Sequence, residues 1–197
     1  MQTFKGFGFR YYSQDIQKER DFLTESGFNK SFESDLSIMQ TCSSFFLEIT
    51  SKQAELPELI LQFEDTDKAI DLLYDLGIQC DFIAEGEDFE AVFHTPEGLK
   101  VILSEKLTDC TGKDIEIYEL AVPTDHFIDS VNFWTALGFT PLNDPPRNHP
   151  WCRLQLKNLI IGIHSSAYLR EKEILIQGLE STILTPGGLK LRLWNQA

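Results

Sequence analysis

The side chains able to do chemistry are few and scattered. Glu48 lies in Phe45-Phe-Leu-Glu-Ile, where strand alternation sets it opposite Leu47 and Ile49. On the inner face of a sheet it could ligate a cation or accept a proton from a ligand; on the outer face it is a solvated carboxylate. Glu58 follows Pro57 at a strand start, with the same two readings. Arg10 and Tyr12 share a strand face with Gly8, and a guanidinium beside a phenol over space left by a glycine suits an anion or an aromatic ligand. In the opposite register Phe9 and Tyr11 point inward and that space is apolar. His164 stands two positions after Gly162 on one face, so it could point into room the glycine leaves. Arg153 and Arg192 repeat the cationic option further along. Trp151 ends the irregular stretch Asn143-Asp-Pro-Pro-Arg-Asn-His-Pro-Trp-Cys152, and either covers a flat ligand or starts the core of the next strand. His94 reads as a turn-facing polar residue, His126 as a helix start and His149 as a loop residue.

Other chemistries find no support. There is no G-x-S-x-G, no cysteine with a nearby histidine, and Gly6-Phe-Gly8 lacks the third glycine of a dinucleotide loop. Cys42, Cys80, Cys110 and Cys152 form no CxxC pair and read as reduced, semi-buried thiols. Seventeen Lys plus Arg against thirty-one Asp plus Glu give a net charge of −14, which repels nucleic acid and anionic membranes and favours cationic or neutral ligands at long range. No apolar run reaches the ~20 residues of a membrane span. The opening Met-Gln-Thr-Phe-Lys-Gly lacks signal-peptide features, so the sequence reads as cytoplasmic.

The elements that must position these groups repeat. The 197 residues, 42% apolar and 12% aromatic, suffice for one large or two small packed domains. Gly8 to Asp15 reads as a strand and polar turn, followed by a helix over Ile16 to Ser26 with Ile16, Phe22 and Leu23 on its apolar face, then Gly27-Phe28. The pattern returns at Glu58 to Asp65, with a helix over Asp67 to Leu76 and then Gly77-Ile78. It returns again at Tyr118 to Asp125, with a helix from Phe127 to Leu137 and then Gly138-Phe139. Each time Asp or Thr can cap the first amides, and the glycine can take the left-handed conformation that ends the helix. Three extended segments follow each helix, giving β-α-β-β-β. A fourth copy, Ile174 to Trp194, has no room for a helix. It shares an ending with the second, Thr185-Pro-Gly-Gly-Leu-Lys against Thr95-Pro-Glu-Gly-Leu-Lys, which argues for duplication. The polar stretch Lys106 to Asp114 is the natural linker, placing domains at 1–106 and 114–197 with 107–113 between.

Paired β-α-β-β-β units of this kind resemble the vicinal oxygen chelate superfamily of glyoxalases, bleomycin-resistance proteins and extradiol dioxygenases. The likeness rests on Asp125 through Ser130-Val-Asn-Phe-Trp134 to Leu137-Gly-Phe139, on Phe63-Glu-Asp65 to Leu76-Gly-Ile78, and on the Thr-Pro-Glu-Gly-Leu-Lys-Val turn. It implies an α+β chain of two cup-shaped domains, the second with an abbreviated last module. Cups of this kind pair within a chain or across a dimer, which leaves a homodimer open. Many members hold a divalent metal on first and last strands of the modules. Those positions fall here at Gly8, Glu58 and Tyr118 (or Glu119), and at Glu48, Ile102, about Gly162 and Arg192. Only Glu48 and Glu58 are good oxygen ligands, and no histidine stands at any of these positions. The resemblance therefore implies a small-molecule ligand in an aromatic-lined cup without a complete metal site, contacted by Arg10, Tyr12, Glu48, Glu58, Tyr118, Trp151, His164 and Arg192. Its alternatives are a metal-dependent lyase, isomerase or dioxygenase using Glu48 and Glu58, and an inactive scaffold for another protein.

Overall fold

The computed structural model describes residues 4–52, 57–85, 88–145 and 147–194. Residues 1–3 of the chain start and Pro146 of the irregular stretch lie outside them. One compact unit comprises the chain up to Phe93, Lys100–Ile115 and Leu184–Leu189; the other comprises His94–Leu99, Glu116–Ile183 and the chain from Lys190 on.

The first unit carries two complete modules. These are β1 (Phe4–Tyr12), α1 (Ile16–Glu25), β2 (Asn29–Glu33), β3 (Ser37–Thr41) and β4 (Phe46–Thr50), then β5 (Glu58–Phe63), α2 (Asp67–Asp75), β6 (Asp81–Glu85), β7 (Asp88–His94) and β8 (Lys100–Ser104). Their strands form one sheet in the order β2-β3-β4-β1-β5-β8-β7-β6. β1 and β5 run antiparallel at its centre, with β4 parallel to β1 and β8 parallel to β5. Each module thus repeats the other about the β1/β5 seam.

Each helix ends as its sequence dictates. Gly27, Gly77 and Gly138 have φ of 97°, 76° and 95°, and the amides at and after each turn back onto the last carbonyls, as in Gly27 N–H to Thr24 and Phe28 N–H to Leu23. The N-termini are less uniform than the sequence suggests. Asp15 accepts from the Lys18 amide at 3.0 Å, but Thr66 makes no cap and instead donates to Glu105. At α3 (Phe127–Ala136) the cap residue is His126, also without a side-chain cap bond.

The β1 aromatics settle which face lies under the helix. Phe7 and Phe9 join Phe28 and Phe45 in a cluster of rings with centroids about 6 Å apart, and all four are buried. Burying each such ring stabilises the unit by roughly 2 kcal/mol. Of the expected α1 face only Leu23 is buried, and the second buried residue is Glu19. Its carboxylate accepts from the Tyr11 hydroxyl at 2.8 Å, the Ser13 hydroxyl at 3.3 Å and the Gly187 amide, which is how a charge survives there. Burial, then the Glu19 charge, pushes the Tyr11 phenol up.

The 107–113 segment is strapped to this unit rather than loose. Gln62 donates to Thr108 at 2.9 Å, Thr41 donates to the Thr111 carbonyl at 2.8 Å, and Gly112 bridges to Phe28.

The second unit holds β9 (Glu116–Thr124), α3, β10 (Thr140–Pro141), β11 (Trp151–Leu156) and β12 (Leu159–Ser165), then β13 (Glu173–Gln177), β14 (Ile183–Leu184) and β15 (Lys190–Leu193). The seven strands run β10-β11-β12-β9-β13-β15-β14. No helix intervenes between β13 and β14, so the last module is the abbreviated one. The four cysteines are free thiols, Cys42 and Cys80 buried; burial pushes the Cys42 thiol up to about 11.

Candidate functional site

Arg10 of β1 is the register partner of Glu48 on β4 and of Glu58 on β5. Cross-strand partners share a face, so all three project to the side opposite Phe9 and Tyr11. They line a cavity of about 360 Å³. Met39, Phe46 and Ile60 give it an apolar floor, packed with Val92 and Ile102. Gly8 belongs to this face, and a Cβ there would lie 2.5 Å from the Phe46 ring; the glycine makes room for that ring. Phe32, Leu36, Lys52 and Lys106 stand exposed among the lining residues.

The polar wall is tightly paired. Arg10 grips Glu90 of β7 with two bonds, Nη1 to Oε2 at 3.0 Å and Nη2 to Oε1 at 2.7 Å, and Nη2 also donates to Glu48 at 3.1 Å. Its Nε is buried without an acceptor. Burial raises the Glu48 carboxyl above the usual carboxylate range, and Arg10 opposes that shift. Glu58 is only 1% exposed and accepts from Lys100 Nζ at 2.7 Å. Neither acid is the outward surface charge that its local sequence also allowed.

This donor set does not fit a divalent cation. Among the described residues, the three carboxylates lining the cavity, Glu48, Glu58 and Glu90, are engaged by protein cations and no histidine lines it, and a metal ion between Glu48 and Glu58 would abut the Arg10 guanidinium. No group of three His, Cys, Asp or Glu side chains suited to a metal occurs among the described residues.

In the second unit the register shifts between Leu175 and Ile176 of β13, so that Leu175 pairs with Glu119 and Ile176 with Ile117. The first-strand position is therefore Glu119 rather than Tyr118. Glu119 faces the same way as Gly162, because Ala121, two residues on, pairs with Gly162. The expectation that Gly162 leaves open room for His164 is overturned: the Glu119 carboxylate fills that space. His164 Nε2 lies 2.5 Å from Glu119 Oε1, with both residues buried.

Aromatic and cationic side chains fill the rest of this face. Tyr118 stacks on Trp194 at 4.2 Å, and the Arg153 guanidinium lies 4.8 Å over Tyr118. Arg153 is fixed by Asp144, whose carboxyl its hydrogen bond holds below the usual aspartate range. Trp151 opens β11, with Arg147 at 3.8 Å over its ring. Arg192 bonds the Glu173 carboxylate at 2.8 and 3.0 Å and is itself exposed.

The eight residues singled out from sequence thus divide. Arg10, Glu48 and Glu58 come together around the cavity, whereas Tyr12, half-buried, is outside its lining. Tyr118, Trp151, His164 and Arg192 lie in the second sheet. Sequence reading missed Glu90, Lys100, Lys52 and Lys106. For Glu90 the signal is its place on the same β7 face as Val92; for Lys100 it is the Leu-Lys that follows the Thr-Pro-Glu-Gly turn.

No protein-family model matches the sequence, and no curated protein matches it. Solved structures do. An extradiol ring-cleaving dioxygenase from B. fuscum aligns over 100% of this chain and 72% of its own, with a TM-score of 0.68 at 11% identity. A Mn(II)-bound glyoxalase from Novosphingobium aromaticivorans aligns over 98% and 81%, with 0.65 at 14%. A hypothetical protein from Staphylococcus aureus aligns over 98% and 99%, with 0.62 at 10%. Together with the β-α-β-β-β modules and the two mixed sheets, these likenesses establish that the chain has the fold of the vicinal oxygen chelate superfamily.

Proposed function

We propose that the protein binds a small organic molecule in the cavity of the first unit, in the manner of a bleomycin-resistance or glyoxalase-like protein, with no metal at that site. The observation that carries this reading is Arg10, a fixed cation among Glu48, Glu58 and Glu90. A lyase, isomerase or dioxygenase of this fold that works through a metal needs free donors, and here the acids already answer protein cations. A volume of about 360 Å³ with an apolar floor and a few polar groups has the character of a small-molecule site rather than of a scaffold face. If chemistry occurs, Arg10 is the group placed to hold a developing negative charge, and Glu48, its carboxyl raised by burial, the group placed to move a proton.

Screening small organic molecules by thermal shift tests the proposal. Ser37 lines the cavity from β3, so Ser37→Trp is expected to fill it and remove the stabilisation that wild type gains from a hit, roughly 2.7 kcal/mol at a hundredfold excess over Kd. Hits that stabilise Ser37→Trp as well as wild type, or a screen without any hit, would count against the cavity as the site.

A further inference from the structure

Six apolar side chains line the cavity among the described residues, and they differ in burial. Met39, Phe46 and Ile60 form its floor and are buried, whereas Phe32, Leu36 and Ile83 are 43%, 52% and 41% exposed. One exposed apolar residue is ordinary; three large ones around one cavity mark a surface that something else covers. Three different devices hold that rim in place. β2 carries one extra residue between Lys30 and Phe32, so Lys30 pairs with Gln40 but Phe32 with Met39. An unbroken ladder would set Phe32 opposite Ile38, which is fully buried on the other face. The bulge therefore turns the ring onto the cavity face, where it continues the floor from its partner Met39. The Lys106 ammonium lies 5.0 Å over that ring and still leaves it 43% exposed. Leu36 is fixed by its backbone: its amide donates to the Ser34 hydroxyl at 3.3 Å and its carbonyl accepts from the Ser51 amide at 2.9 Å. Ile83 comes from β6, at the far end of the sheet order from β2, as the register partner of Glu90.

Resting on the reading of this cavity as a small-molecule site, we infer that its ligand carries an alkyl or arylalkyl chain that outreaches the buried floor. The chain runs over Met39, Phe46 and Ile60 and emerges across Phe32, Leu36 and Ile83. A compact ligand confined to the floor would leave the three rim side chains in water. Each methylene that reaches them removes apolar surface of both partners from water, so the rim rewards length. The bulge in β2 is the feature that joins floor to rim, since without it Phe32 would belong to the opposite face.

Uncharged probes that differ only in length test it: hexan-1-ol, octan-1-ol and decan-1-ol, titrated calorimetrically into wild type, the Phe32→Ser/Leu36→Ser double variant and Ile83→Ser on the opposite edge strand. The three side chains already stand largely in water, so the variants keep their fold. Each step of two methylenes is expected to tighten binding to wild type roughly fivefold. In the double variant the whole gain from hexanol to decanol is expected to shrink below about fivefold, and in Ile83→Ser to fall in part. Affinity that stops rising after hexanol, or rises equally in all three proteins, would overturn the inference. So would a wild-type dimer that becomes monomeric in Phe32→Ser/Leu36→Ser, since the rim would then belong to a second copy. Loss of hexanol binding in Ser37→Trp would leave the cavity reading standing in each of those cases. If none of the alcohols binds, the inference falls, and the cavity reading is decided separately by the thermal-shift screen.

Discussion

Arg10→Leu is expected to lower the unfolding free energy by about 3 kcal/mol, because it strands two carboxylates inside the first unit. The Glu48 and Glu90 side chains are only 17% and 19% exposed, and Arg10 supplies three hydrogen bonds between them. The loss depends on pH in a defined direction. Burial already raises the Glu48 carboxyl, and Arg10 is what restrains it; without Arg10 its folded value moves higher above the unfolded one. A carboxyl raised in the folded state contributes stability at pH below its ordinary range and loses it as pH rises through the folded value. Denaturant unfolding of Arg10→Leu is therefore expected to show its deficit at neutral pH and to recover part of it in mild acid. A deficit that is small and independent of pH would mean that the acids find other partners.

Gly162→Ala is expected to be nearly as damaging, at roughly 3 kcal/mol, through one methyl group. The Cβ would occupy the place of the Glu119 carboxylate, and Glu119 is 2% exposed with its Oε1 on His164. Moving the carboxylate aside separates it from His164 and leaves a buried charge short of its partner. Chemical denaturation measures the loss. The double variant Gly162→Ala/Glu119→Gln is expected to suffer less than the sum of the single changes, and simple additivity would show that the clash is elsewhere.

Much of the fold was legible because each module carries its own punctuation. Gly27-Phe28, Gly77-Ile78 and Gly138-Phe139 mark helix ends that only a positive φ can make, and all three fall where the periodicity places them. The missing helix of the last module was legible from length alone. The site was harder. Alternation places Arg10 and Tyr11 on opposite faces of β1, but which face is the inner one depends on where α1 packs, and both faces carry aromatic residues. The burial of Glu19 has no signal in the helical periodicity, because its partners, Tyr11 and Ser13, come from the preceding strand and turn. Glu90 meets Arg10 across 80 positions, a distance no local pattern spans. The count along the strand left Tyr118 and Glu119 as alternatives, because the irregular pairing of β9 and β13 is a long-range feature that no local pattern reveals.

The central claim is that the acids of the first-unit cavity answer the Arg10 guanidinium and not a metal ion. Elemental analysis of protein purified without chelator, alongside Glu48→Gln, addresses it most directly. The account predicts far less than one equivalent of any divalent metal per chain and no change in the variant. One equivalent in wild type that is lost in Glu48→Gln would contradict it.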